Sequence, residues 1–108
     1  MNATTILLTA LYNRIPRRHS TDNVKDINDI LAEYEDILLL IEAINPFYES
    51  KIPAFFNQLD IIRAAIKKST DNKASKKSKD NFFDEASGDL KDSMQQLITL
   101  YEDGKRTS

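Results

Sequence analysis

With 108 residues, 41% of them hydrophobic and 30% charged, the chain holds material for one soluble domain. It contains no cysteine, which excludes disulfides, thiolate-ligated metal and thiol catalysis and fits a reducing, cytoplasmic compartment. Two glycines cannot build a phosphate-cradling loop, and a net charge of −2 gives no whole-molecule attraction to nucleic acid, which disfavours that partner.

The apolar opening, Ala3–Tyr12, is followed by Arg14, Arg17 and Arg18 and has no basic residue before it. That order is the reverse of a secretory signal, and about ten residues are too few to span a bilayer. The segment reads as a first helix, about Ala3–Arg14, carrying Ile6, Leu7, Ala10 and Leu11 and ended by Pro16.

A second helix is expected from about Asp22 to Ile44. Val24, Ile27, Leu31, Tyr34, Leu38 and Ile41 recur at alternating helical steps, and Ile30, Ile37 and Ile44 widen the stripe. Ser20, Thr21 and Asp22 offer N-caps, and Asn45-Pro46 stops the helix. Leu39 and Leu40 lie off the stripe, so this end should be the most buried part of the fold or an interface.

A third helix is expected over about Pro53–Lys68, capped by Ser50 with Pro53 in its first turn. Ile52, Phe55, Phe56, Leu59, Ile62 and Ile66 give its apolar face, and Lys67 and Lys68 suit its negative end. A fourth runs from about Asn81 to Glu102 through Phe83, Ala86, Leu90, Met94, Leu97 and Tyr101. Asp80, Asp84 and Glu85 favour its start, Gly104 is placed to cap its end, and Gly88 weakens its interior. Between the third and fourth lies a Lys/Ser-rich stretch, about 67–81, with six lysines, two aspartates and Ala74 as its one apolar residue; it reads as a flexible loop or frayed helix ends. Four helices with mostly short links predict an all-α, antiparallel four-helix bundle occupying residues 1–108 as a single domain.

Three features are candidates for partner binding. Asp22, Asp26, Asp29, Glu33 and Asp36 form one carboxylate stripe, which suits a basic partner or a cation, although a solvated outer face is the preferred reading because surface charge effects are ordinarily weak. It lacks the loop and glycine of a calcium-binding hand, and no metal or cofactor is expected. Lys73, Lys76, Lys77 and Lys79, with Lys67 and Lys68, suit phosphates or an anionic membrane surface, so peripheral membrane contact is one option and a solvated linker the other. The doublets Phe47-Tyr48, Phe55-Phe56 and Phe82-Phe83 place neighbouring rings about 100° apart, so one ring of a pair can face a partner while the other packs inward.

No serine sits in a nucleophile context, His19 stands alone, and the carboxylates lie on polar faces with no reason for raised pKa values. The expectation is a non-enzyme.

Leu11-Tyr12-Asn13-Arg14-Ile15 at the end of the first helix, and Ile52-Pro53 with Phe56-Asn57-Gln58-Leu59 in the third, resemble the immunity proteins of pediocin-like bacteriocins. The resemblance covers about a tenth of the chain. It implies a cytoplasmic four-helix bundle without a catalytic site that protects its producer cell. It further implies that the protein recognises a bacteriocin-bound membrane receptor, a sugar-phosphotransferase permease, with specificity in the region from Phe82 onward. The lysine-rich loop and the strong heptad of the second helix depart from the family's pattern. The competing expectation is a phage, plasmid or secretion-associated helical adaptor that binds a protein partner or self-associates through an a/d seam, so that both monomer and homodimer are open.

Overall fold

The computed structural model describes the backbone of residues 3–107 and the side chains of residues 3–102. Within that range the chain forms α1 (Ala3–Arg14), α2 (Thr21–Glu42), α3 (Pro46–Ser69) and α4 (Lys76–Thr107), and no strand. They pack as an antiparallel four-helix bundle in which α3 lies against α2 and α4, and α1 closes against α2 and α4. The molecule is 49 Å along its longest axis, which is the length that 32 residues of α4 span at about 1.5 Å each.

The apolar stripes build the core largely as their spacing demands. Ile27, Leu31, Tyr34, Leu38 and Ile41 of α2 are buried together with Ile30 and Ile37. Ile52, Phe55, Leu59, Ile62 and Ile66 of α3, and Phe83, Ala86, Leu90, Met94, Leu97 and Tyr101 of α4, complete it.

Three boundaries and the facing of α1 differ from the sequence reading. Asn45-Pro46 does more than stop α2: the Asn45 carboxamide oxygen accepts a hydrogen bond from Tyr48 N at 3.1 Å, and Pro46 occupies the first turn of α3. Proline suits that position because its missing N–H has no partner there anyway. Pro53 therefore falls inside α3 and Ser50 caps nothing. At the other connection α4 starts five residues early, because the Ser75 hydroxyl accepts from Ser78 N at 3.1 Å and caps it. The lysine-rich stretch is thus mostly helical, and only residues 70–75 link α3 to α4; the first turn of α4 carries lysines and no acidic residue. At the far end α4 runs through Gly104 to Thr107, since glycine permits a left-handed cap without requiring one. In α1 the inward face is Thr5, Leu8 and Leu11, with Ile15 beyond the helix, while Ile6, Leu7 and Ala10 face outward.

Candidate functional site

α1 has 12 residues and α2 has 22, so α1 cannot shield the whole of its neighbour. Arg14 Nη1 meets Glu33 Oε2 at 3.0 Å, which marks the register between the two antiparallel helices. One heptad from Arg14 toward the start of α1 is Leu7, and one heptad from Glu33 toward the end of α2 is Leu40. Both keep the angular position of the ion pair, so both come to one level of the α1–α2 face. A further turn brings Ala3 and Ile44 to the next level.

All four of these residues are exposed, and the neighbourhood extends them. Exposure at this end runs from 42% for Phe47, through Ile6, Leu7, Leu39 and Ile44, to 72% for Leu40. Apart from Ile61 in the body of α3, every exposed large hydrophobic residue among the described residues lies at this one end of the bundle. The expectation that Leu39 and Leu40 mark the most buried end is therefore corrected: both side chains are exposed. A groove beside this collar is lined by Glu42, Ala43, Asn45, Pro46 and Glu49, which sets two carboxylates next to Ile44 and Phe47.

Each aromatic doublet divides between core and surface. Tyr48 is buried, stacks on Tyr101 at 5.8 Å and donates its hydroxyl to the Tyr101 carbonyl at 3.0 Å, while Phe47 stands outside it, edge-on at 5.3 Å. Burial, and then the nearby Tyr101, push the Tyr48 phenol up. Phe83 is fully buried, whereas Phe82 is half-buried under the Lys68 ammonium at 5.6 Å. Phe55 is buried and Phe56 half-buried. Tyr48 and Phe83 thus serve the core and offer no contact surface, while Phe47 and Phe82 keep a face toward solvent.

The carboxylate stripe of Asp22, Asp26, Asp29, Glu33 and Asp36 is exposed along its length. Glu33 is held by Arg14, and off the stripe Glu35 pairs with Arg63 of α3 at 2.6 Å. The stripe ends in Leu40 and Ile44, so the acidic face of α2 leads directly into the apolar collar. Lys73, Lys76, Lys77 and Lys79 lie at the opposite end.

A polar cleft between α3 and α4 had no counterpart in the sequence reading. About 230 Å³ in volume, it is lined by Gln58, Ile61, Ile62, Asp89, Asp92, Ser93 and Gln96. Behind it Ser93 Oγ donates to Gln58 Oε1 at 2.6 Å and accepts from the buried Tyr34 hydroxyl at 2.8 Å, and Gln58 Nε2 donates to Gln96 Oε1 at 3.2 Å. Burial raises the Tyr34 phenol far above its usual range, with the Ser93 hydrogen bond opposing it. Asp89 is raised as well, first by burial and then by Glu85 and Asp92, which corrects the expectation that no carboxylate is perturbed. No imidazole lines the cleft beside Asp89. Among the described residues no group of three or more His, Asp and Glu side chains is placed to hold a metal ion, and no helix is long and apolar enough to cross a membrane. Ser93, a hydroxyl at a core position of α4, is the sequence signal that marks this network.

Comparison of the chain with family models, with characterised proteins and with solved structures returned no match.

Proposed function

We propose that this chain is a non-enzymatic, protein-binding helical bundle whose apolar collar, built around Leu7, Leu40, Ile44 and Phe47, is its contact surface. The observation that carries the reading is the segregation of exposed large hydrophobics to one end of a bundle whose other faces are charged. Isolated exposed apolar residues need no explanation, but a contiguous set rimmed by carboxylates marks an interaction site. Asp36, Glu42 and Glu49 beside the collar suit a partner segment that carries lysine or arginine next to apolar side chains.

Within that reading, the resemblance in Leu11–Ile15 and in Ile52–Leu59 makes a cytoplasmic bacteriocin immunity protein the specific role proposed, protecting its cell by engaging a bacteriocin-bound membrane receptor. The bundle supports this at the level of architecture. The helical adaptor remains the second reading, because the same collar would serve a second copy of the chain. Light scattering across a range of concentrations separates them. The immunity role calls for a monomer, with the collar free for its receptor. A dimer that Leu40→Asp converts to monomer would assign the collar to self-association and overturn the immunity role.

A further inference from the structure

The end of the bundle opposite the collar is basic, and the fold makes it so by joining two connections that are far apart in sequence. Residues 15–20 link α1 to α2 and residues 70–75 link α3 to α4, and antiparallel packing brings both links to the same end. The first link touches the start of α4: His19 Nδ1 lies 3.2 Å from Asp80 Oδ1, and the His19 ring leans on Phe83 at 5.6 Å. Arg18 and Lys76 line one hollow together with His19, Asp80 and Asp84. Arg17 and Arg18 thereby join Lys67, Lys68, Lys73, Lys76, Lys77 and Lys79 on an end whose cross-section is about that of the bundle, 23 × 17 Å.

Asp22, Asp71, Asp80 and Asp84 stand among these eight cations and offset half of their charge, leaving an excess of four positive charges. Asp71 accepts from Lys73 N at 3.0 Å, and Asp80 is taken by His19. Among the described residues none of the eight lysines and arginines is in an ion pair. Lys76, Lys77 and Lys79 also occupy the first turns of α4, where the helix dipole disfavours positive charge, so internal stability does not account for them.

One part of this end is shaped as well as charged. Lys67, Lys68 and Lys73, with Thr70, Asn72 and the Asp71 carboxylate, line a hollow of about 640 Å³ beside the α3–α4 connection, so three ammonium groups face one acid there. Lys68 is held over the Phe82 ring, which limits the positions its ammonium samples. The Thr70 hydroxyl donates to the Lys67 carbonyl at 2.8 Å, which leaves the ammonium groups and the Asn72 carboxamide as the donors for a phosphate headgroup.

We infer that this basic end docks on an anionic membrane surface, with the Lys67–Lys68–Lys73 hollow receiving headgroup phosphates. Clusters of four to eight cations suffice for such attraction, at about fivefold in partition for each residue near the surface. The end is broad, rich in lysine and free of exposed large apolar residues, so contact is electrostatic and reversible, without insertion. Nucleic acid fits it less well, because recognition of single strands calls for exposed aromatic platforms, and Phe82 lies under Lys68. The inference concerns a different surface from the collar and stands or falls separately from the proposed function.

The test is sedimentation of the full chain with vesicles of phosphatidylcholine alone and of phosphatidylcholine mixed with phosphatidylserine, at low and high salt. The chain binds the mixed vesicles at low salt, releases at high salt and ignores phosphatidylcholine. The triple variant K67Q/K68Q/K73Q loses about 100-fold and R17Q/R18Q about 25-fold, both with parental circular dichroism. Leu40→Asp binds as the parent does, which separates this surface from the collar. Equal binding to phosphatidylcholine, no binding to the mixed vesicles, or undiminished binding by the folded lysine variant overturns the proposal. So does tighter binding to short duplex DNA than to the mixed vesicles.

Discussion

Replacing Ser93 with alanine strands a phenol in the core. Ser93 has one hydroxyl hydrogen, and it goes to Gln58 Oε1 at 2.6 Å, so Tyr34 is the donor in the 2.8 Å contact. Tyr34 is fully buried, and no buried side-chain polar atom among the described residues lacks a partner, so the intact network is satisfied. Ser93→Ala leaves the Tyr34 O–H unmatched, at a cost of about 2 kcal/mol. At roughly 4–8 °C per kcal/mol, thermal unfolding should fall by about 10 °C. Tyr34→Phe keeps the Ser93–Gln58 bond and removes one hydrogen bond, about 1 kcal/mol. The double variant removes donor and acceptor together and should cost less than the two single changes combined. Chemical denaturation of the four proteins checks this cycle. The reasoning fails if Ser93→Ala unfolds with the parent, or if the two losses add. The same burial sets the alkaline limit. The unfolded phenol ionises near pH ~10 while the folded one stays protonated, so stability holds below that pH and is lost as pH rises above it. Tyr34→Phe should flatten that decline.

Asp89→Asn should stabilise the bundle at neutral pH and lose its advantage in acid. The folded carboxyl titrates above its unfolded value, so its penalty is absent below the unfolded pKa and grows as pH rises through the folded one; unfolding at both pH extremes reads the difference. Gly88→Ala should raise stability by about 1 kcal/mol, because a Cβ there meets nothing within 4 Å; a loss would mean that α4 needs the glycine's freedom. Pro53→Ala restores an N–H that can reach the Glu49 carbonyl inside α3 and should gain about 2 kcal/mol in urea unfolding, whereas a destabilised variant would show that α3 depends on a proline-shaped bend.

The helices and most of the core were legible because each apolar stripe keeps one period over several turns. In α4, Phe83, Ala86, Leu90, Met94, Leu97 and Tyr101 were all identified by spacing, and all are buried. Punctuation was less legible. A proline reads alike as the stop of one helix and the start of the next, and Asn45 decides between them only once its side chain is seen to cap Tyr48 N. The start of α4 lies in a lysine run with no apolar period, so only the Ser75 cap marks it.

The collar was only partly legible, for a different reason. Leu39 and Leu40 lie off the core stripe and read alike as a buried end or an interface, and what exposes them together with Ile44 is the shortness of α1 in the register that the Arg14–Glu33 pair marks, a tertiary fact. Likewise, nothing in the local sequence says that Arg17 and Arg18 will join the lysines roughly fifty to sixty positions later. Chain topology brings them together.

The central claim is that the collar engages a protein partner in an immunity role. The most direct test is expression of the chain, and of Leu40→Asp at matched folded level, in cells sensitive to a pediocin-like bacteriocin, with survival measured under challenge. The account predicts that the parent chain protects and that Leu40→Asp does not. Failure of the parent to protect against any such bacteriocin, or equal protection by the folded Leu40→Asp protein, would contradict it.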